Sequence, residues 1–173
     1  MLIAALLGGR KELLYRVLGN MLASSGYRVA SAVQFRKVNL PKELKEFAEA
    51  GAGITIAHSV NRMILSTTYV PEDLEGLIKT ARCLAPVEPD ALILVGFQKL
   101  VARNERIIKA LAVWSAKEVN SLLPQLAPPV VGVYSDKGDY QGEGSFSDLK
   151  DLAKAVIEEG RRLRQLPPSP RRV

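Results

Sequence analysis

Cysteine and histidine are almost missing from this chain, which has one of each, Cys83 and His58, in 173 residues. A lone cysteine excludes a disulfide within the chain. One histidine beside it is too few for a Cys/His metal cluster and argues against a His-dependent catalytic pair. Long apolar runs are missing too, since none approaches the roughly 18 residues of a membrane span. The apolar start MLIAALLGGRKELL has no charged segment before it and no cleavage pattern after it, so it reads as a buried strand and not as a signal peptide. A soluble, cytoplasmic protein is the expectation.

Acids are missing from one segment. RRLRQLPPSPRRV, Arg161 to Val173, holds five arginines and no acid, so taking it away from the formal charge of +6 leaves +1 for residues 1–160. That near-neutral body argues against a polynucleotide partner and leaves the arginine tail as the one place for such a contact. The Pro-rich end can bury little and is expected to be disordered. With 47% hydrophobic residues, the rest suffices for one core. The expected organisation is a single domain over 1–164 followed by a basic tail, 165–173, with no internal repeat and no long linker.

What is present is an alternation of strands and helices. Leu2–Leu7 is a short, fully apolar strand. Leu13, Leu14, Val17, Leu18, Met21 and Leu22 mark one face of a helix over Glu12–Ser24, with Gly26 as its stop. YRVASAVQF alternates as a second strand. PKELKEFAEAG predicts a short helix, GITIAH and RMILSTT two more strands, and PEDLEGLIKTARCLA a helix opened by Pro71. DALILVGF is apolar enough to be buried on both faces. RIIKALAVW and PVVGVYS are further strands, Ser115 and Glu118 fit a capping box, and FSDLKDLAKAVIEEGRRL is the last helix. This order predicts an α/β fold, a mostly parallel sheet with helices on both faces, whose ligands bind beyond the carboxyl ends of the strands. Gly8–Lys11, Phe35–Lys37, Gly96–Arg106 and Ser135–Gly138 are the segments expected there.

Three of these segments carry candidate chemistry. Gly8 and Gly9, followed by Arg10 and Lys11, sit between strand and helix as a phosphate-cradling turn would, and a plain glycine turn with two solvated basic residues fits the same letters. Glu12 works against a phosphate. At about 4 Å it costs on the order of 4 kcal/mol at an effective dielectric near 20, roughly a thousandfold in affinity. It can instead face solvent and favour the helix dipole. Lys99, Arg103, Arg106 and Lys109 oppose only Glu105, and read either as an anion-binding loop or as an exposed charged one. Asp136, in SDKG, reads as a turn residue or as an acid placed to meet a base. His58, Cys83 and Trp114 read as structural residues, and no catalytic or metal-ligating residue is assigned.

LASSGYRVASAV, FAEAGAGITIAHSVNRMIL, PDALILVGFQK and PVVGVYSDKG occur in this order and, over residues 1 to 160, the chain resembles the molybdopterin-guanine dinucleotide biosynthesis protein B (MobB) family. The resemblance implies a P-loop NTPase-like three-layer sandwich, a homodimer, and GTP with magnesium as ligands. It also implies a role in molybdenum-cofactor synthesis with a cofactor-synthesis enzyme or a phosphorylated pterin as partner. The chain departs from that family where chemistry is done. Lys11 takes the place of the P-loop lysine, but Glu12 stands for the magnesium-binding Ser/Thr, Arg10 for a glycine, Ala5 for the first loop glycine and Val95 for the strand-end glutamate, and QFRKVNLPKE is shortened. Hydrolysis needs that carboxylate to hold magnesium or order water. The resulting expectation is an accessory protein that binds an anion or nucleotide, or serves as an adaptor, at Gly8, Gly9, Arg10, Lys11, Lys99, Arg103, Arg106 and Asp136, without hydrolysis. The alternative is a GTPase using a rearranged loop.

Overall fold

Strand β1, Leu2–Leu7, is apolar at every position because both of its faces are covered. Leu2, Ala4 and Leu6 point to one core cluster, and Ala5 and Leu7 to the other, as the two-residue period of a strand requires. The computed structural model describes residues 1–34, 46, 49–50, 54–59, 62–67, 73–84, 87–163 and 165. The first cluster joins β1 to helix α1 (Lys11–Ser24) through Leu14, Leu18 and Leu22, and to helix α5 (Leu149–Arg162) through Leu152, Ala153 and Val156. The second joins it to α2 (Leu74–Leu84), α3 (Gln98–Val101) and α4 (Ala116–Leu122) through Leu74, Val101 and Val119.

The sheet between these layers is parallel throughout, in the order β2-β5-β1-β6-β7-β8. Its remaining strands are β2 (Val29–Val33), β5 (Ala91–Val95), β6 (Ile108–Val113), β7 (Val130–Ser135) and β8 (Ser145–Phe146). β3 (Ile54–Ser59) and β4 (Arg62–Thr67) pair with each other as an antiparallel hairpin. The three-layer α/β sandwich read from the sequence is therefore the fold. The helix expected over 41–51 and the segment Phe35–Lys37 lie, apart from residues 46, 49 and 50, outside the described residues.

Three details differ from the sequence reading. β8 and α3 carry no periodic signal because two and four residues are too few to show one. Lys109, counted with the loop cations, is a fully buried residue of β6. Its ammonium donates to the carbonyls of Asn104 (2.6 Å) and Ile107 (3.0 Å), and burial pushes it below the ordinary lysine value. Gln165, read as the start of the tail, receives a hydrogen bond from the Ile3 amide (3.5 Å) and donates to the Arg106 carbonyl (3.0 Å).

At the amino end of the sheet Asp90 accepts three hydrogen bonds from Arg28, from the backbone N–H, Nε and Nη2, at 2.9, 3.0 and 2.9 Å. The side-chain bonds from Arg28 hold its carboxyl below the ordinary value of 3.8. A lowered folded value means stability present above that pH and lost as pH falls through the folded value. Asp90→Asn is therefore expected to cost about 1 kcal/mol near neutrality. The gap to the parent protein should narrow as the pH is taken down below 3.8 and the carboxylate is protonated. Urea unfolding at both pH values measures it, and a pH-independent gap would contradict the assignment.

Candidate functional site

Only Gly8, Gly9 and Arg10 separate β1 from α1, because Ala5, which stands where a phosphate loop would begin, is a buried residue of β1 paired with Leu94 and Lys109. Three residues cannot wrap a phosphate as an eight-residue Gly-rich loop does. The amides of this turn are also used internally. Arg10 N–H donates to the Ala112 carbonyl (2.8 Å), Lys11 N–H to the Gly8 carbonyl (3.3 Å), and Gly9 N–H to Oε1 of Glu118 (2.7 Å).

Both glycines are required by close packing. Gly8 has φ +95°, and a Cβ there would lie 2.4 Å from the Ala112 carbonyl oxygen; one at Gly9 would lie 2.3 Å from the Trp114 ring. The turn thus lies flat against the end of β6.

Its side chains are also paired. Arg10 extends away from the turn, with Nη2 2.6 Å from Oδ2 of Asp136 and its guanidinium 3.8 Å above the centre of the Trp114 ring. Asp136 also accepts from the Tyr134 hydroxyl at 3.3 Å, and the phenol is raised above its ordinary value, first by burial and then by the Asp136 charge. Lys11 Nζ is 3.1 Å from Oε1 of Glu12, whose side chain is 60% exposed. Glu12 therefore faces solvent.

The capping box read at Ser115 and Glu118 is not formed. Ser115 occupies the N-cap of α4 without a side-chain bond, and Glu118 bonds the Trp114 amide (3.0 Å) and Gly9 instead of reaching the Ser115 amide. Asp139 takes over the capping by accepting from Ala116 N–H at 2.8 Å. It also accepts from the Ser135 hydroxyl at 2.6 Å, and that bond is the first cause of its lowered pKa. A spacing of three residues was visible in the sequence; the competing amide of Gly9, 109 residues away, was not.

A cleft of about 690 Å³ opens where β1, β2 and β5 end, bounded by Gly8, Gly9 and Lys11, by Gln34, by Gly96–Lys99, and by Glu118 and Leu122 of α4. This is the crevice at the carboxyl ends of a parallel sheet where ligands collect. Gln34 shapes one wall, with its side-chain oxygen accepting from Phe97 N–H (2.8 Å) beneath a left-handed Phe97 (φ 58°).

The candidates named from sequence are divided by the fold. Gly8, Gly9, Lys11 and Lys99 line this cleft. Arg10 and Asp136 pair with each other beside it, and Asp136 lines a neighbouring 560 Å³ cavity at the end of β7. Arg103 and Arg106 are exposed on the connection to the amino end of β6, and Arg106 borders a cavity with Ile3 and Asn104. They do not join the other cations. Val95 is 1% exposed and belongs to the core cluster with Leu6 and Leu14. Among the described residues no group of acidic, His or Cys side chains could hold a metal, and no helix is long and apolar enough to cross a membrane. Cys83 is free and exposed, and Trp114 is 48% exposed beside the turn.

No family model and no curated protein matches the sequence. Solved structures do. A molybdopterin-guanine biosynthesis protein B (mobB) is 20% identical, with a TM-score of 0.66 over 92% of this chain and 99% of that one. Bacillus subtilis MobB is 16% identical, with a TM-score of 0.65 over 96% and 99%. A MobB homolog from Bacillus stearothermophilus is 16% identical, with a TM-score of 0.64 over 95% and 99%. The chain therefore has, over nearly its whole length, the P-loop NTPase-like α/β fold of the solved MobB proteins.

Proposed function

We propose that this chain is a MobB-like accessory protein of molybdenum-cofactor (molybdopterin guanine dinucleotide) biosynthesis that acts without hydrolysing nucleotide. In this reading it works in the cytoplasm as a homodimer and engages a cofactor-synthesis enzyme or a phosphorylated pterin. The observation that carries it is the whole-length likeness, which leaves almost no part of a solved MobB chain uncovered at 99%. The absence of hydrolysis is supported by the three-residue turn and by Val95, which can neither hold magnesium nor order water.

Two measurements test this. Purified protein with GTP and magnesium should show no turnover above the blank, and a steady turnover lost in Lys11→Ala would overturn the non-hydrolysing half. A host strain lacking the chain should lose most of its molybdopterin guanine dinucleotide and regain it on complementation. Unchanged dinucleotide content would overturn the assignment to this pathway.

A further inference from the structure

We infer that Glu118 is a built-in anion, seated on the β1–α1 turn where a ligand phosphate would sit, and that its charge makes this chain exclude phosphate groups from the cleft. Its two carboxylate oxygens are shared between two strand ends, Oε1 on the Gly9 amide at 2.7 Å and Oε2 on the Trp114 amide at 3.0 Å. Charge-assisted bonds to backbone N–H are the interactions that a phosphate oxygen would make at this place. Glu118 makes them instead of the local capping bond that its spacing from Ser115 offers, so the contact across the cleft is the preferred one.

The rest of the lining favours an anion. Lys11 and Lys99 border the cleft and Glu118 is the only acid that does so among its described lining residues, so neutralising Glu118 raises the local charge from +1 to +2. At about 690 Å³ the space is ample for an inorganic oxyanion or a phosphate monoester. Repulsion and competition for the same donors both act through one side chain. The inference rests on the non-hydrolysing reading above and deepens it, because it puts the phosphate of any phosphorylated-pterin partner outside this cleft.

The test uses inorganic phosphate and the intrinsic fluorescence of Trp114, the chain's single tryptophan, whose ring faces Gly9 and whose amide bonds Glu118. Glu118→Gln keeps the side-chain length, but its one acceptor can serve only one of the two amides while its NH2 faces the other donor. Phosphate should bind Glu118→Gln at least about 10-fold more tightly than the parent protein. Adding Lys11→Ala to that variant should remove the gain. Equal affinity in parent and variant, or no binding by either, overturns the inference. If Glu118→Gln does not fold, amide exchange in the parent protein decides. Gly9 N–H protected about 10-fold or more over an unstructured amide supports the contact, and an unprotected Gly9 overturns it. No arm reads cofactor synthesis, so failure here leaves the pathway assignment standing, and the reverse holds too.

Discussion

Gly8→Ala is expected to destabilise the ligand-free protein by about 2–5 kcal/mol. Two causes add. The residue sits at φ +95°, where a side chain costs about 1–2 kcal/mol. Its new Cβ would lie 2.4 Å from the Ala112 carbonyl and 2.8 Å from Cγ1 of Val113. Both belong to the buried strand β6, which cannot give way without disturbing its pairing to β1, and such overpacking costs about 1–3 kcal/mol more. Gly9→Ala should cost less, about 1 kcal/mol, because the Trp114 ring in its path is 48% exposed and can swing outward. Guanidinium unfolding of both variants tests this. A glycine kept only to admit phosphate would leave ligand-free stability almost unchanged on substitution, so a loss under 1 kcal/mol at Gly8 would contradict the packing account.

Val95→Glu, which reinstates the acid implied by the family resemblance, is expected to cost about 3–5 kcal/mol and to restore no GTP turnover. Val95 is 1% exposed, lies between Leu6 of β1 and Val33 of β2, and shares its cluster with Leu14 and Leu18 of α1. In that apolar cluster desolvation disfavours the ionised form, so the new carboxyl is expected to take up a proton or to remain a costly buried charge. Its folded pKa would rise above the ordinary glutamate value near 4.3. The unfolded chain then releases the proton first as pH rises, so the deficit should grow from about pH 4 upward and be smallest in acid. Denaturation at pH 4 and pH 8 against Val95→Ala, which loses only methyl groups, isolates the charge. Turnover with GTP and magnesium in a folded Val95→Glu protein would show that the missing carboxylate alone had silenced the site.

Much of the fold was legible in the amino-acid pattern because the signals are local and repeated. The leucines of α1 recur on one face, and ALILV is apolar without period because β5 is covered on both sides. Short elements escaped: β8 exists through pairing with β7, and α3 is one turn locked by the left-handed Phe97 before it. The candidate site was half legible. Gly8, Gly9, Lys11 and Lys99 do meet at one cleft, as the alternation of strands and helices implied. Arg103, Arg106 and Lys109 looked like their companions in a run of cations, yet the chain turns back after α3 and brings them to the amino end of β6.

The sequence by itself determined the layered α/β architecture and, with one cysteine and one histidine, left no pair for a disulfide within the chain and no Cys/His metal cluster. These follow from residue types and from periods of a few positions. Only the tertiary structure decided what the turn GGRK is. Its glycines are there because β6 passes within contact, its arginine is drawn to Asp136 and Trp114, and its Gly9 amide is met by a carboxylate 109 residues further along. Hydrogen bonds between residues so far apart leave no periodic trace in a chain, because each is set by where whole elements pack and not by the residues next to it.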